Sequence, residues 1–183
     1  MIQGWSTEGY IETRILNQQA GRPILKQSWH PVDNLWEVES AIREGDKLDH
    51  ALPCVAPGIR RDVGSTKVDS VVAINVLWAD LDWKRYAGGE DEAKVAVRAF
   101  PLTPHCIVRS GGGFHLYWRL AEPWDVSTEE ERARANGTLR RIASMLGADM
   151  APAHVGAVLR APETTNRKYN PFVTSQISYW AEP

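Results

Sequence analysis

The heptapeptide WADLDWK, residues 78–84, sets Asp80 and Asp82 one residue apart at the end of an apolar run. Side chains in a strand alternate faces, so both carboxylates share a face with Val76 and Trp78, while Ala79 and Leu81 point the other way. Unpaired neighbours of this kind repel, and burial raises their pKa values; a divalent cation between them removes both penalties. Mg²⁺ and Mn²⁺ favour carboxylate oxygens and leave their remaining positions to water or phosphate. Two hydrated aspartates at a strand end fit the same short pattern, which alone does not separate the readings.

A second stretch, VRSGGGFHLYWRL (108–120), offers different chemistry. Gly111, Gly112 and Gly113 permit positive φ and close approach of backbone to a ligand, with the Ser110 hydroxyl beside them. Beyond the glycines, Phe114, Leu116, Trp118 and Leu120 share one face, and His115, Tyr117 and Arg119 the other. His115 on a polar face can donate to a phosphate oxygen. No Gly-Lys-Ser/Thr follows, which excludes a P-loop. A Gly-rich hairpin turn with an incidental histidine is the alternative.

The third stretch, GADMAPAHVGAVLRAPETTNRKYN (147–170), carries Asp149 and then Arg160, Asn166 and Lys168. Arg and Lys pair with phosphate, and an amide can read a sugar or base edge. The loop GIRRDVGSTK (58–67) adds Arg60, Arg61 and Lys67 as candidate template or phosphate contacts. Each stretch also reads as a solvated loop.

Positioning these groups requires a sheet. GYIETRIL and RPILKQSW read as a hairpin turning near Ala20-Gly21, and NLWEVESAIREG as a helix capped by Asn34 or Asp33 and followed by Gly45. ALPCVAPG reads as a short strand, SVVAINVLWADLDW as a long buried one, and EDEAKVAVRAF as a helix. PHCIVRS and FHLYWRL read as strands joined through the glycines. Ser127 with Glu130 forms a capping box for the helix TEEERARANGTLRRIASML, which Gly147 ends. HVGAVLRAP and FVTSQISYW read as extended. Hairpins placed between helices predict an α+β fold, a mainly antiparallel or mixed sheet layered with helices.

The bulk numbers bound the function. A chain of 183 residues fits a single domain that buries roughly 70% of its unfolded surface. Its net charge of −2 means that any grip on nucleic acid comes from a local patch. Cys54 and Cys106 form no CxxC or Cys/His cluster, so a structural metal is not expected and buried reduced thiols are. No stretch approaches the ~18 apolar residues of a membrane span, and the N-terminal residues lack a basic head before an apolar core. The chain reads as cytoplasmic, with no membrane partner. Eight tryptophans are mostly packing residues, with base stacking as a minority role.

Taken in order, Asp80-x-Asp82, SGGGFHLYW, Asp149 and LRAPETTNRK resemble the archaeo-eukaryotic primase superfamily, and within it the primase-polymerase domains of phages, plasmids and related mobile elements. The resemblance runs from about CVAPGIRRD to NRK. It implies a single catalytic domain, 1–183: an RRM-like palm over about 51–183 beside a smaller N-terminal α/β unit over about 1–50. It implies acidic ligands Asp80, Asp82 and Asp149 for two Mg²⁺ or Mn²⁺ ions. It also implies nucleotide binding through Ser110, Gly111, Gly112, Gly113 and His115, with Arg160, Asn166 and Lys168 assisting. The activity implied is DNA-templated nucleotidyl transfer, polymerisation with or without priming, on single-stranded or primed DNA with dNTPs or NTPs. A helicase or an accessory priming domain is the implied partner. One position departs: Glu163 stands where the family's Arg-x-Pro-Gly-Thr-x-Asn-x-Lys stretch has glycine, which predicts strain and makes Glu163 a competitor of Asp149 for third ligand. Two other classes stay open, a non-catalytic replication-initiator module on this fold and a metal-dependent nuclease, although no basic or tyrosine nucleophile accompanies the acids.

Overall fold

A computed structural model describes residues 8–19, 21 and 23–180, with the side chain of Trp180 left aside. The expectations on Trp5 and on Ala20 at the first turn lie outside the described residues. A hairpin of β1 (Tyr10–Asn17) and β2 (Ile24–Pro31) opens the chain, followed by helix α1 (Leu35–Asp46) and strand β3 (Ala51–Arg60). Next come β4 (Val71–Asp82), a 3₁₀ turn over Trp83–Arg85, α2 (Gly89–Ala99), β5 (Cys106–Arg109) and β6 (Gly113–Asp125). Helix α3 (Glu129–Leu146) precedes three two-residue strands, β7 (Leu159–Arg160), β8 (Thr165–Asn166) and β9 (Val173–Thr174), and then β10 (Gln176–Trp180).

Among the described residues one sheet runs β10-β5-β6-β4-β3-β1-β2, with β7 also paired to β3 and every pairing antiparallel; β8 and β9 form a separate ribbon. The fold is α+β, as expected. The first fifty residues share this sheet with the rest, because β3 pairs with β1, β4 and β7.

The long β4–β6 pair divides the molecule into an apolar and a polar side. Register sets Leu77 against Trp118, Ala79 against Leu116 and Leu81 against Phe114; all but the partly buried Leu77, which packs against it, belong to the main core with Ala93 of α2 and Leu139 and Leu146 of α3. Each fully buried side chain of this size stabilises the fold by about 1.5–3 kcal/mol. The same register sets Trp78 against Tyr117, Asp80 against His115 and Asp82 against Gly113 on the opposite face. Trp78 is buried there, its indole N–H donating to the Pro152 carbonyl at 2.8 Å.

Several local expectations shift. Thr128, not Ser127, caps α3, its hydroxyl accepting the N–H of Glu131 at 3.2 Å, so the capping pair moves by one residue. Gly147 ends the helix in the left-handed region as expected. Gly45 lies inside α1 rather than after it, where the close approach of Ile15, 2.2 Å from where a Cβ would stand, requires glycine. Of HVGAVLRAP only Leu159–Arg160 is strand; Val155 instead donates its N–H to the Asn136 side chain at 2.8 Å. Strand β3 extends through Arg60, which removes that residue from the basic loop. Cys54 and Cys106 are buried thiols outside any disulfide among the described residues, and no helix among the described residues is long and apolar enough to cross a membrane.

Candidate active site

The polar end of the β4–β6 pair opens into a cavity of about 440 Å³. Asp80, Asp82 and Asp149 line it. The first two arrive on β4, side by side as alternation requires. Asp149 arrives just after the α3 cap, and its backbone N–H donates to the Asp80 carbonyl at 2.8 Å, which fastens the end of α3 to the end of β4. Asp149 Oδ1 accepts from Ala151 N–H at 3.2 Å, fixing the turn that carries it.

The glycine turn closes β5 onto β6. Ser110 N–H donates to Gly113 O at 2.9 Å, and Trp83 N–H to Gly112 O at 2.9 Å. Gly111 has φ +96°, and a Cβ on Gly113 would lie 1.8 Å from the Leu81 carbonyl oxygen. A Cβ on Gly112 would lie 2.0 Å from the Tyr169 hydroxyl. Packing inside the protein thus accounts for Gly112 and Gly113. Ser110, Gly112, Gly113 and His115 line the cavity and Gly111 does not; the Asn166 amide holds the turn by donating to Ser110 O at 2.7 Å. Arg160, Asn166 and Lys168 line the same cavity. Of the basic loop, Arg61 and Lys67 are exposed and stand outside it.

Arg60 is the clear correction. Its side chain is fully buried, paired with Glu12 at 2.6 Å and donating to Lys67 O and to the Ser70 hydroxyl. An arginine so enclosed holds the loop to the sheet and offers nothing to a template. Glu163 lines a different cavity, against α1, with Oε1 accepting from Ile177 N–H at 3.2 Å. It does not meet the three aspartates. Its φ is +58°, the strained backbone that a glycine at this position would relieve.

Electrostatics separate the two neighbouring acids. Burial pushes the Asp80 carboxyl above its ordinary range; His115 opposes this, while Asp149 and Asp82 add to it. Burial acts on Asp82 in the same direction, but the hydrogen bonds and charge of Lys84 outweigh it and hold Asp82 below the usual range. The Lys84 ammonium sits 2.6 Å from Asp82 Oδ2. His115 Nε2 lies 3.7 Å from Asp80 Oδ1, and burial lowers the imidazole pKa in spite of that carboxylate, so the ring is neutral near pH 7. Its Nδ1 is buried without a hydrogen-bond partner of ordinary geometry among the described residues.

Three carboxylates, with Asp80 burdened by burial and two like charges, have the donor chemistry of a hard-cation site. As arranged here, no three His, Cys, Asp or Glu side chains among the described residues converge as ligands, and Asp82 is engaged by Lys84. Lys84 follows Asp82 by two residues in WADLDWK, and its pairing with that acid is the signal that strand alternation alone overlooks. Tyr169, Arg14 and His154 also line the cavity without standing out in the sequence.

No family model and no curated protein matches the sequence. Solved structures do match the fold. The chain is similar to the AEP domain of a primase-polymerase from cyanophage S-2L, with a TM-score of 0.62 at 16% identity over 92% of this chain and 80% of that one. It is similar to the primase RepB′, with a TM-score of 0.61 at 13% identity over 93% of this chain, which spans 51% of that structure. A RepB′ catalytic domain in complex with initiator DNA gives a TM-score of 0.60 at 13% identity, covering 93% of this chain and 77% of that one. The fold is therefore of the kind seen in primase-polymerase domains.

Proposed function

We propose that the chain is a DNA-templated nucleotidyltransferase, extending and with suitable partners starting DNA strands in the replication of a mobile element. The observation that carries this reading is the cavity itself. On a primase-polymerase-like fold, it joins Asp80, Asp82 and Asp149 to His115 and to the cations Arg160 and Lys168. The likeness to a domain seen in complex with initiator DNA supports a DNA partner.

Asp80, Asp82 and Asp149 are the residues that would hold Mg²⁺ or Mn²⁺, which supplies charge neutralisation at a transferring phosphate and a lowered pKa at an attacking 3′-hydroxyl. The chain's own contribution is placement. The β4 strand fixes two acids, and the Asp149–Asp80 backbone bond brings the third beside them. Neutral His115 can offer only Nε2, the ring nitrogen on the Asp80 side, to a phosphate oxygen, because Nδ1 is buried. Arg160 and Lys168 add positive charge for a triphosphate, and the Asn166–Ser110 bond keeps the glycine turn in register with them.

Incubation with a primed template, Mn²⁺ or Mg²⁺ and labelled dNTPs tests the reading. Template-dependent extension, lost on Asp80→Ala with Asp82→Ala, is the expected result. Cleavage of the template would establish a nuclease instead, and retardation without chemistry a binding module.

A further inference from the structure

The cavity continues past the acids to a basic end. Register sets Arg14 of β1 against Cys54 of β3, and Cys54 against Arg160 of β7. Laterally paired residues of adjacent strands point to the same face, and all three line the cavity. With strands about 4.8 Å apart, the two arginine backbones stand about 10 Å from each other. Cys54 lies between them on the sheet. Arg160 also borders His115, whose ring feels its charge, so it links this end to the acidic one.

Around Glu12, positive charge exceeds negative among the described residues. Glu12 is fully buried and serves two guanidiniums, with Oε1 accepting from Arg14 Nε and Oε2 from Arg60 Nε at 2.9 Å. One carboxylate against two arginines leaves one positive charge. Arg60 spends its side chain inward, whereas Arg14 is partly exposed and its two terminal nitrogens make no hydrogen bond to protein among the described residues. His154 lines the same wall; burial lowers its pKa first, and then the charges of Arg140, Arg60 and Arg14. The cavity's carboxylates, Asp80, Asp82 and Asp149, all belong to the other end.

We propose that Arg14, with Cys54 beside it, His154 at the rim and Arg160 shared with the triphosphate end, forms a second phosphate site in the cavity, for the phosphate of a nucleic-acid strand or of a second nucleotide. Guanidinium forks match phosphate oxygens in pairs, and a cavity wall enclosing them strengthens the attraction relative to open solvent. The identification of the anion as phosphate rests on the nucleotidyltransferase reading; the presence of an anion site does not. A site of this kind gives the cavity two anionic ligands to hold in line, one over the acids and one over the arginines.

The test is binding in EDTA, which needs no catalysis. Arg14→Gln retains a donor for Glu12 and removes the charge. A fluorescent single-stranded oligonucleotide followed by anisotropy reports the strand, and calorimetry with dATP reports nucleotides per chain. If a strand supplies the phosphate, Arg14→Gln weakens oligonucleotide binding about tenfold and reduces the salt slope by about one, while Arg14→Lys retains the slope. If a second nucleotide supplies it, wild type still binds one dATP per chain in EDTA, where the metal-dependent site is empty, and Arg14→Gln binds none. Should Arg14→Gln melt far below wild type, Cys54→Leu replaces it, filling the gap with both charges in place, and the same losses are expected. Unchanged binding of both ligands by a folded variant overturns the proposal. A wild type that never extends a primer but loses anion binding on Arg14→Gln keeps this site and sinks the polymerase reading.

Discussion

Asp80 bears the cost of a buried carboxylate. Its carboxyl is pushed up, first by burial and then by Asp149 and Asp82 against the pull of His115. A carboxyl whose folded pKa exceeds its unfolded value of about 3.9 stabilises the fold below that pH and loses this contribution as pH rises through the folded value. Above its folded value the ionised group therefore works against folding. Asp80→Asn should raise the melting temperature near pH 7, by about 2–4 °C for each kcal/mol relieved, and the advantage should vanish as pH falls to about 4. The same variant should lose at least about a hundredfold in incorporation, a stability–activity trade at one residue. A thermal scan across pH that shows no advantage at pH 7 would mean that burial of this acid is already compensated. The acid pair was legible because strand alternation alone brings Asp80 and Asp82 together. The fate of Arg60 was not legible, because its partner Glu12 lies 48 residues away on another strand and nothing local separates a buried arginine from a basic-loop one. Arg14 escaped for the same reason, since only the pairing of β1, β3 and β7 places it near Arg160.

At the scale of elements, the site depends on how closely two strands and a turn approach. The three glycines read in sequence as one ligand-facing cradle, yet they answer to different neighbours. A Cβ on Gly113 meets backbone, the Leu81 carbonyl, whereas a Cβ on Gly112 meets the movable end of Tyr169. Gly113→Ala should therefore destabilise the protein by about 3 kcal/mol or more, because β4 and β6 must part. Gly112→Ala should cost about 1 kcal/mol, and less when combined with Tyr169→Phe. Denaturant midpoints measured on the three variants check this order. Glu163 offers the converse case, a left-handed position occupied by a side chain. Glu163→Gly relieves about 1–2 kcal/mol of strain and gives up the bond to Ile177 N–H and some unfolded-state entropy. A net gain of up to about 1 kcal/mol is expected, with the rate of incorporation unchanged, since Glu163 lines the other cavity. A rate that collapses with this substitution would return Glu163 to the ligand set in place of Asp149. Element types and order were largely readable, because hydrophobic alternation and helical spacing are local. The α3 cap shifted by one residue because Ser127 and Thr128 are both good caps, each with a glutamate three residues on, and tertiary packing chooses between them.

For the whole molecule, the question is whether the first fifty residues can be detached, as their looser resemblance to the family suggests. The pairing argues that they cannot. Strand β1 pairs along β3 from Tyr10 against Arg60 to Asn17 against Ala51, so removing it exposes the length of a central strand, an open edge that invites aggregation. Arg60 would lose Glu12, the carboxylate that balances its charge, together with the strand that buries it. The cavity would suffer too. Asp46 at the end of α1 accepts the Thr165 N–H at 3.1 Å, its hydroxyl at 3.0 Å and Arg167 at 2.8 Å, and so anchors the segment that carries Asn166 and Lys168. A chain limited to residues 51–183 should therefore show no cooperative thermal transition and no nucleotide-dependent shift in melting, whereas the full chain unfolds in one transition. The point variant Asp46→Ala separates the two contributions. It spares the sheet and should leave a cooperative melt, lower by a few degrees, while weakening nucleotide binding several-fold through the loosened 165–168 segment. A cooperative melt of the 51–183 chain with nucleotide binding intact would show that the sheet is divisible after α1 and that the Asp46 anchor is dispensable.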